Sequence, residues 1–147
     1  DCGFLRLPTR PEFETIELQK DELLVVLPEN HPLTDCDTFP VEALCSYPLI
    51  LFEKTAKAET AEIFEHNNLV PRVNYTTWDD YAIMAMVERG LGISILPELI
   101  LKRIPYHIVA KKLSVPAYRT IGLALRSQKT ASLAVKRFLE YLPFRDS

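Results

Sequence analysis

Three short, almost unbroken apolar runs constrain the fold of this chain most: LLVVL at 23–27, LILF at 49–52 and ISIL at 93–96. Runs this short, bounded by turn residues, suit strands covered on both faces. Between and after them the spacing becomes helical. In KAETAEIFEHNN, Ala58, Ala61, Phe64 and Glu65 recur at helical intervals, and Asn67–Asn68 supplies a stop. In TTWDDYAIMAMVERG, Ile83, Met86 and Val87 share one face. Thr77 is the expected cap there, with Asp79 and Asp80 in a first turn where the helix dipole favours negative charge. Leu133, Phe138, Leu139 and Leu142 mark a last helix. Strands alternating with helices imply crossover connections, a mainly parallel sheet and a three-layer α/β protein.

The remaining elements follow from punctuation. Residues 1–7 read as a buried strand ended by Pro8, and 14–18 as an edge or connecting strand separate from 21–28. PVEAL at 40–44 reads as a helical turn or two, with Thr38 as cap and Pro40 in the first turn. RVNYT, YHIVAKKL and YRTIGLALR read as strands, and PELILKRI as a short helix. The segment VERGLGISILPEL, residues 87–99, carries the densest punctuation. Gly90 suits the position just past a helix, where a positive φ costs little. Gly92 lets the backbone turn into the strand with no Cβ in the way. Pro97 cannot continue a ladder but fits the first turn of a helix. Ile93, Ser94 and Leu96 are expected in the core.

The same segment is not a dinucleotide fingerprint, because Ile95 stands where the third glycine belongs and the glycines precede a strand. No phosphate-loop, zinc-protease or nucleophile-elbow motif occurs. Asp79 with Asp80 is better explained by the helix dipole than by paired acid–base chemistry. The chain has 147 residues, 48% of them apolar, enough for a core or for two small lobes. Its net charge of −3 and lack of any Lys/Arg run give no reason to expect direct nucleic-acid binding. Three cysteines (Cys2, Cys36, Cys45) and three scattered histidines show no metal-ligand spacing and no disulfide framework. Reduced thiols in the cytoplasm are the expectation, with no metal and no cofactor. No run approaches the roughly 18–20 apolar residues of a membrane span. The chain opens on Asp1 and shows no signal-peptide pattern, so its natural N-terminus is expected upstream.

VERGLGISILPEL resembles the "v-x-x-G-x-G-i-x-x-l-P" segment in the effector-binding domains of LysR-type transcriptional regulators. DCGFLRLP is similar to that family's "D-x-G-f-x-r" strand, DELLVVLPENHPL to its "L-x-x-x-x-l-p-x-x-H-P-L" crossing segment, and PLILFE to its "p-f-I-x-y/f" strand. YRTIGLALRSQKTASLAVKRFLEYL is similar to its closing strand and helix. These landmarks stand in family order from residue 1 to about 142. The resemblance implies a periplasmic-binding-protein-like (type 2) α/β fold, two α/β lobes joined by two crossing strands. Residues 1–24 and 118–147 would form part of lobe I, and 25–117 lobe II with the hinge strands. It also implies that lobe I is incomplete here. A winged helix-turn-helix, a linker helix and the first half of that lobe would lie outside the chain. An apolar face is then expected where those elements would pack.

A small effector between the lobes is implied, an anion being one class that would fit. The resemblance points to the loop after LILF, with Phe52, Glu53, Lys54 and Thr55. Ligands of open α/β sheets bind beyond the carboxyl ends of strands, and helix starts hold anions. A solvated loop over a buried Phe52 is the competing reading. Thr76 and Thr77 lie on the same rim by the same rule, with a capping role open for Thr77, and Trp78 beside them reads as packing. Arg6, in an otherwise apolar strand, needs a partner. An effector carboxylate and a structural ion pair both satisfy it. The loop EKTAKAE holds no cysteine, which argues against a thiol sensor. By resemblance the chain is not an enzyme, full-length relatives are homo-oligomers, and DNA is contacted only through the absent N-terminal module. The alternative is a solute-binding protein of the same fold, distinguished by a signal peptide upstream.

Overall fold

The computed structural model describes residues 1–52 and 59–142. In chain order the elements are β1 (Cys2–Leu7), β2 (Glu14–Pro28), a 3-10 turn (Val41–Ser46), β3 (Leu49–Phe52), α1 (Glu59–His66), β4 (Val73–Thr77), α2 (Asp80–Glu88), β5 (Ser94–Pro97), α3 (Glu98–Leu101), β6 (Ile108–Lys112), β7 (Tyr118–Leu125) and α4 (Leu133–Tyr141). They divide into two compact units. Unit 1 joins Asp1–Lys20 to Arg119–Ser147, and unit 2 is Asp21–Tyr118.

In unit 2 the run LLVVL is buried because a strand lies on each side of it. β5 pairs antiparallel with β2 from Leu23 opposite Pro97 to Val26 opposite Ser94. β6 pairs antiparallel from Leu24 opposite Lys112 to Pro28 opposite Ile108. Val25, Val26 and Leu27 are fully buried. Each such side chain contributes about 1.5–3 kcal/mol of transfer free energy. At the other edge β3 and β4 pair in parallel, with Phe52 opposite Thr77 and a register irregularity between Leu49 and Ile50. A parallel bridge, Leu49 opposite Ile93, joins this pair to the end of β5. The backbone order is therefore β6, β2, β5, β3, β4, with ISIL central. Ile93, Ser94 and Leu96 are buried, as the sequence suggested.

Two apolar clusters cover the two faces. Leu44, Leu49, Ile63, Phe64 and Ile93 belong to the first. Val26, Ile50, Ile83, Met84 and Val87 belong to the second. Ser94 is buried among them and satisfied, its hydroxyl donating to the Ile50 carbonyl at 2.6 Å. His31 is buried as well. Its Nδ1 accepts from the Leu33 N–H at 3.1 Å, and its ring packs edge-on to Tyr47 with centroids 4.4 Å apart. Loss of water pushes its pKa below the ordinary imidazole value.

In unit 1, β7 lies between β1 and β2. β1 runs antiparallel to β7, with Cys2 opposite Leu125 and Leu7 opposite Thr120. Ser132 caps α4 by accepting the Val135 N–H at 3.3 Å. Phe4, Leu133, Phe138 and Tyr141 are exposed, and Phe4 meets Phe138 edge to face.

Several local expectations are corrected. Among the described residues β1 with β7, β2 with β5 and β2 with β6 pair antiparallel, whereas β3 with β4 forms a parallel ladder. The stretches 14–18 and 21–28 are one strand of 15 residues. Its polar middle, Gln19–Lys20, is exposed, which is why the apolar pattern looked broken. The 3-10 turn is preceded by Pro40 at the cap position, not Thr38, with no side-chain cap. Ser114 serves instead, its hydroxyl accepting the Val41 N–H at 3.0 Å. Pro97 ends β5, and the buried Asp21 carboxylate accepts the Leu99 N–H of α3 at 3.0 Å.

Candidate functional site

Parallel pairing sets the geometry of the rim. Because β3 and β4 run the same way, their carboxyl ends lie side by side. Leu51 stands opposite Thr76, and Phe52 opposite Thr77. The structure thus brings Phe52, Thr76 and Thr77 together on one edge of unit 2. Phe52 is half-buried against the cluster of Val26, Ile50 and Ile83. Thr76 is exposed and Thr77 half-buried. Glu53, Lys54 and Thr55 lie outside the described residues, as does Ala58. Arg6 belongs to unit 1, half-buried on β1 opposite Ile121.

The start of α2 adjoins this rim. Its cap is Asp79, not Thr77: Asp79 Oδ1 accepts the Tyr81 N–H at 2.9 Å. Thr77 Oγ1 accepts the Asp79 N–H at 3.4 Å, so the threonine orders the turn that presents the cap. With Asp80 in the first turn, the positive end of α2 already faces two carboxylates. An anion finds no free helix start there. Arg89 and Gly90 close α2, and Gly90 has φ +74°, the expected left-handed residue. Gly92 has a different role. A Cβ there would overlap the Pro48 carbonyl oxygen, because the backbone of β3 passes directly over it.

Sequence reasoning did not anticipate a groove beside the rim, about 400 Å³ in volume, between α1 and β4. Leu51 and Phe64 are among the residues that line it, with Thr60 and Thr76. Thr60 carried no signal in the pattern; Phe64 read only as a helix core residue. Among the described residues no group of His, Cys, Asp or Glu is placed to hold a metal ion. The three cysteines are free and half-buried. Among the described residues no helix is long and apolar enough to cross a membrane.

The strand order and the carboxyl-end rim define a type 2 periplasmic-binding-protein-like α/β fold, the fold of the similar solved effector-binding domains. Residues 1–143 match the model of the LysR substrate binding domain, and the chain belongs to that family. It is 36% identical over 146 residues to a probable HTH-type transcriptional regulator, LrrA of Synechococcus elongatus, covering 97% of this chain and 48% of that protein. It is 32% identical over 142 residues to the HTH-type transcriptional regulator YvbU of Bacillus subtilis, covering 95% and 48%. The chain therefore spans about half the length of the curated relatives it matches. Among solved structures, the effector-binding domain of QuiR in complex with shikimate superposes with a TM-score of 0.81 at 27% identity, covering 97% of this chain and 69% of that one.

Proposed function

We propose that the chain is the ligand-sensing part of a bacterial LysR-type transcriptional regulator. The observation that carries this is the family match over residues 1–143, on a fold shared with an effector-binding domain that holds shikimate. Residues 1–24 with 118–147 act as one lobe and 25–117 as the other. A small effector binds between them, against Phe52, Glu53, Lys54, Thr55, Thr76 and Thr77 from lobe II and Arg6 from lobe I. The pairing of Phe52 and Leu51 with Thr77 and Thr76 supports the lobe II wall. The carboxylates at the start of α2 leave Arg6 and Lys54 as the groups that would meet an acidic effector.

The chain performs no chemistry in this reading. The effector binds one arrangement of the lobes more tightly than another, by about 1–3 kcal/mol for a typical coupling, and shifts the population. A winged helix-turn-helix outside this chain reads the operator in the cytoplasm, and the full-length protein works as a homo-oligomer. The reading is tested by sequencing the coding region upstream of Asp1. A helix-turn-helix module is expected; a signal peptide with no such module overturns it. For the site, titration of the full-length protein with an acidic effector, once found, should give no binding in a folded Arg6→Ala variant. Unchanged affinity removes Arg6 from the site.

A further inference from the structure

We propose that a pocket between the end of α1 and the segment leading from β6 into β7 binds a cyclic polyol, a ring carrying adjacent hydroxyl groups. One wall follows from helical spacing. Glu62 and His66 stand one turn apart on the last stretch of α1, Ile63 and Asn67 lie beside them, and all four line the pocket. Tyr118 and the buried Ala117 line it from the other segment, with the buried Leu23 of β2. Both walls are tied down by hydrogen bonds of their own. The Leu23 N–H donates to the Ala117 carbonyl at 2.9 Å, which pins the approach to β7 against β2. Asn67 Nδ2 donates to the Ile63 carbonyl at 2.8 Å, which holds the amide at the end of α1. The enclosed space, about 430 Å³, falls within the range of small-molecule pockets.

The hydrogen-bonding groups that line the pocket select the ligand. A carboxylate such as Glu62 accepts from several donors at once. The Asn67 amide offers a carbonyl acceptor and a second N–H, and the Tyr118 hydroxyl both donates and accepts. An uncharged imidazole, as at His66, carries one donor and one acceptor. An ammonium group only donates and a carboxylate only accepts, so each serves part of this set. A hydroxyl does both, and two on adjacent ring carbons reach neighbouring side chains. The carbon face of the same ring covers Leu23 and Ile63, which a linear or ionic ligand leaves wet. A wholly apolar ring covers that surface but strips water from the polar groups without replacing it. The described lining shares no residue with the effector wall of Phe52, Thr76 and Thr77, and the site stands whether or not the chain senses an effector.

The test uses two probes that differ by one hydroxyl, cis-1,2-cyclohexanediol and cyclohexanol. Each is titrated into the full-length protein that carries this chain and followed by saturation-transfer NMR on the probe. The diol should bind more tightly by about threefold to tenfold, the gain from one further hydrogen bond. Glu62 and His66 are exposed, so alanine at either position leaves the fold intact. Glu62→Ala and His66→Ala should each reduce the diol's advantage, and the double variant should abolish it while cyclohexanol still binds. Equal affinity of the two probes for the unaltered protein overturns the proposal, as does the absence of saturation transfer to the diol. A preference that survives in the double variant places the diol elsewhere and overturns it as well. Sequencing upstream of Asp1 and the Arg6→Ala titration test the sensing role separately.

Discussion

The two glycines of Gly90–Leu91–Gly92 should respond very differently to the same substitution. At Gly92 the obstacle is space. An added Cβ overlaps the Pro48 oxygen and lies 3.1 Å from the Pro48 carbonyl carbon and 3.3 Å from Ile50 Cγ1. Two of those atoms are backbone and cannot rotate away. The same backbone holds β3 to the start of β5, through Ile93 N–H to Pro48 O and Ile50 N–H to Ile93 O, both 2.9 Å. Forcing the strands apart weakens two hydrogen bonds worth about 1 kcal/mol each. It adds an overpacking cost of about 1–3 kcal/mol. Gly92→Ala should therefore cost about 3 kcal/mol. At Gly90 nothing lies within 4 Å of an added Cβ, and the only obstacle is φ +74°. A left-handed alanine costs about 1–2 kcal/mol. Urea unfolding followed by the fluorescence of Trp78, the single tryptophan, reads unit 2 directly. At a slope of about 1.5 kcal/mol/M, the midpoint should fall by about 2 M for Gly92→Ala and about 1 M for Gly90→Ala. Gly90→Asn should regain part of the loss, since asparagine tolerates that conformation, whereas Gly92→Asn should be at least as damaging as alanine. A Gly92→Ala midpoint within about 0.3 M of the parent, too small for the overlap argued here, would refute the close-approach reasoning.

Two further outcomes follow from single contacts. Asp79→Ala removes the carboxylate that accepts the Tyr81 N–H and should cost about 1 kcal/mol, with Asp79→Asn nearly neutral. Equal losses for both variants in thermal melts would mean that the charge, not the hydrogen bond, matters. Burial holds the His31 imidazole below its ordinary value of about 6.5. The folded protein keeps it neutral while the unfolded chain takes up a proton. Its stability is therefore full above about pH 6.5 and falls as pH drops toward the folded value, by at most about 1.4 kcal/mol per pH unit. His31→Phe should flatten that part of the pH–stability curve; an unchanged slope would assign the dependence to other groups.

Much of this architecture was legible in the residues. LLVVL, LILF and ISIL became strands, and Gly90 took the left-handed position, because those features depend on local chemistry. Pairing direction was not legible. Strand–helix alternation suggests parallel crossovers, yet β2 takes β5 and β6 as antiparallel neighbours, a choice made by tertiary packing. Capping was legible in type but not in position, since Thr77 and Asp79 both suit a helix start and geometry chose the aspartate. Of the rim, Phe52, Thr76 and Thr77 followed from the rule about strand ends. The groove did not, because it depends on how α1 packs beside the two strands that flank it in sequence, which residue spacing does not show.

The division of the chain has a consequence for the order in which it folds. Unit 2 is one continuous stretch, whereas unit 1 pairs Cys2 with Leu125 across nearly the whole sequence. Closing so long a loop carries an entropy cost that a preformed insert greatly reduces. On the ribosome, where synthesis runs at about 5–20 residues per second, β1 waits several seconds or more for β7. During that interval unit 2 can complete its own core. The shorter sequence separation of its contacts thus favours unit 2 forming first, with the β1–β7 pairing completed only after β7 has emerged.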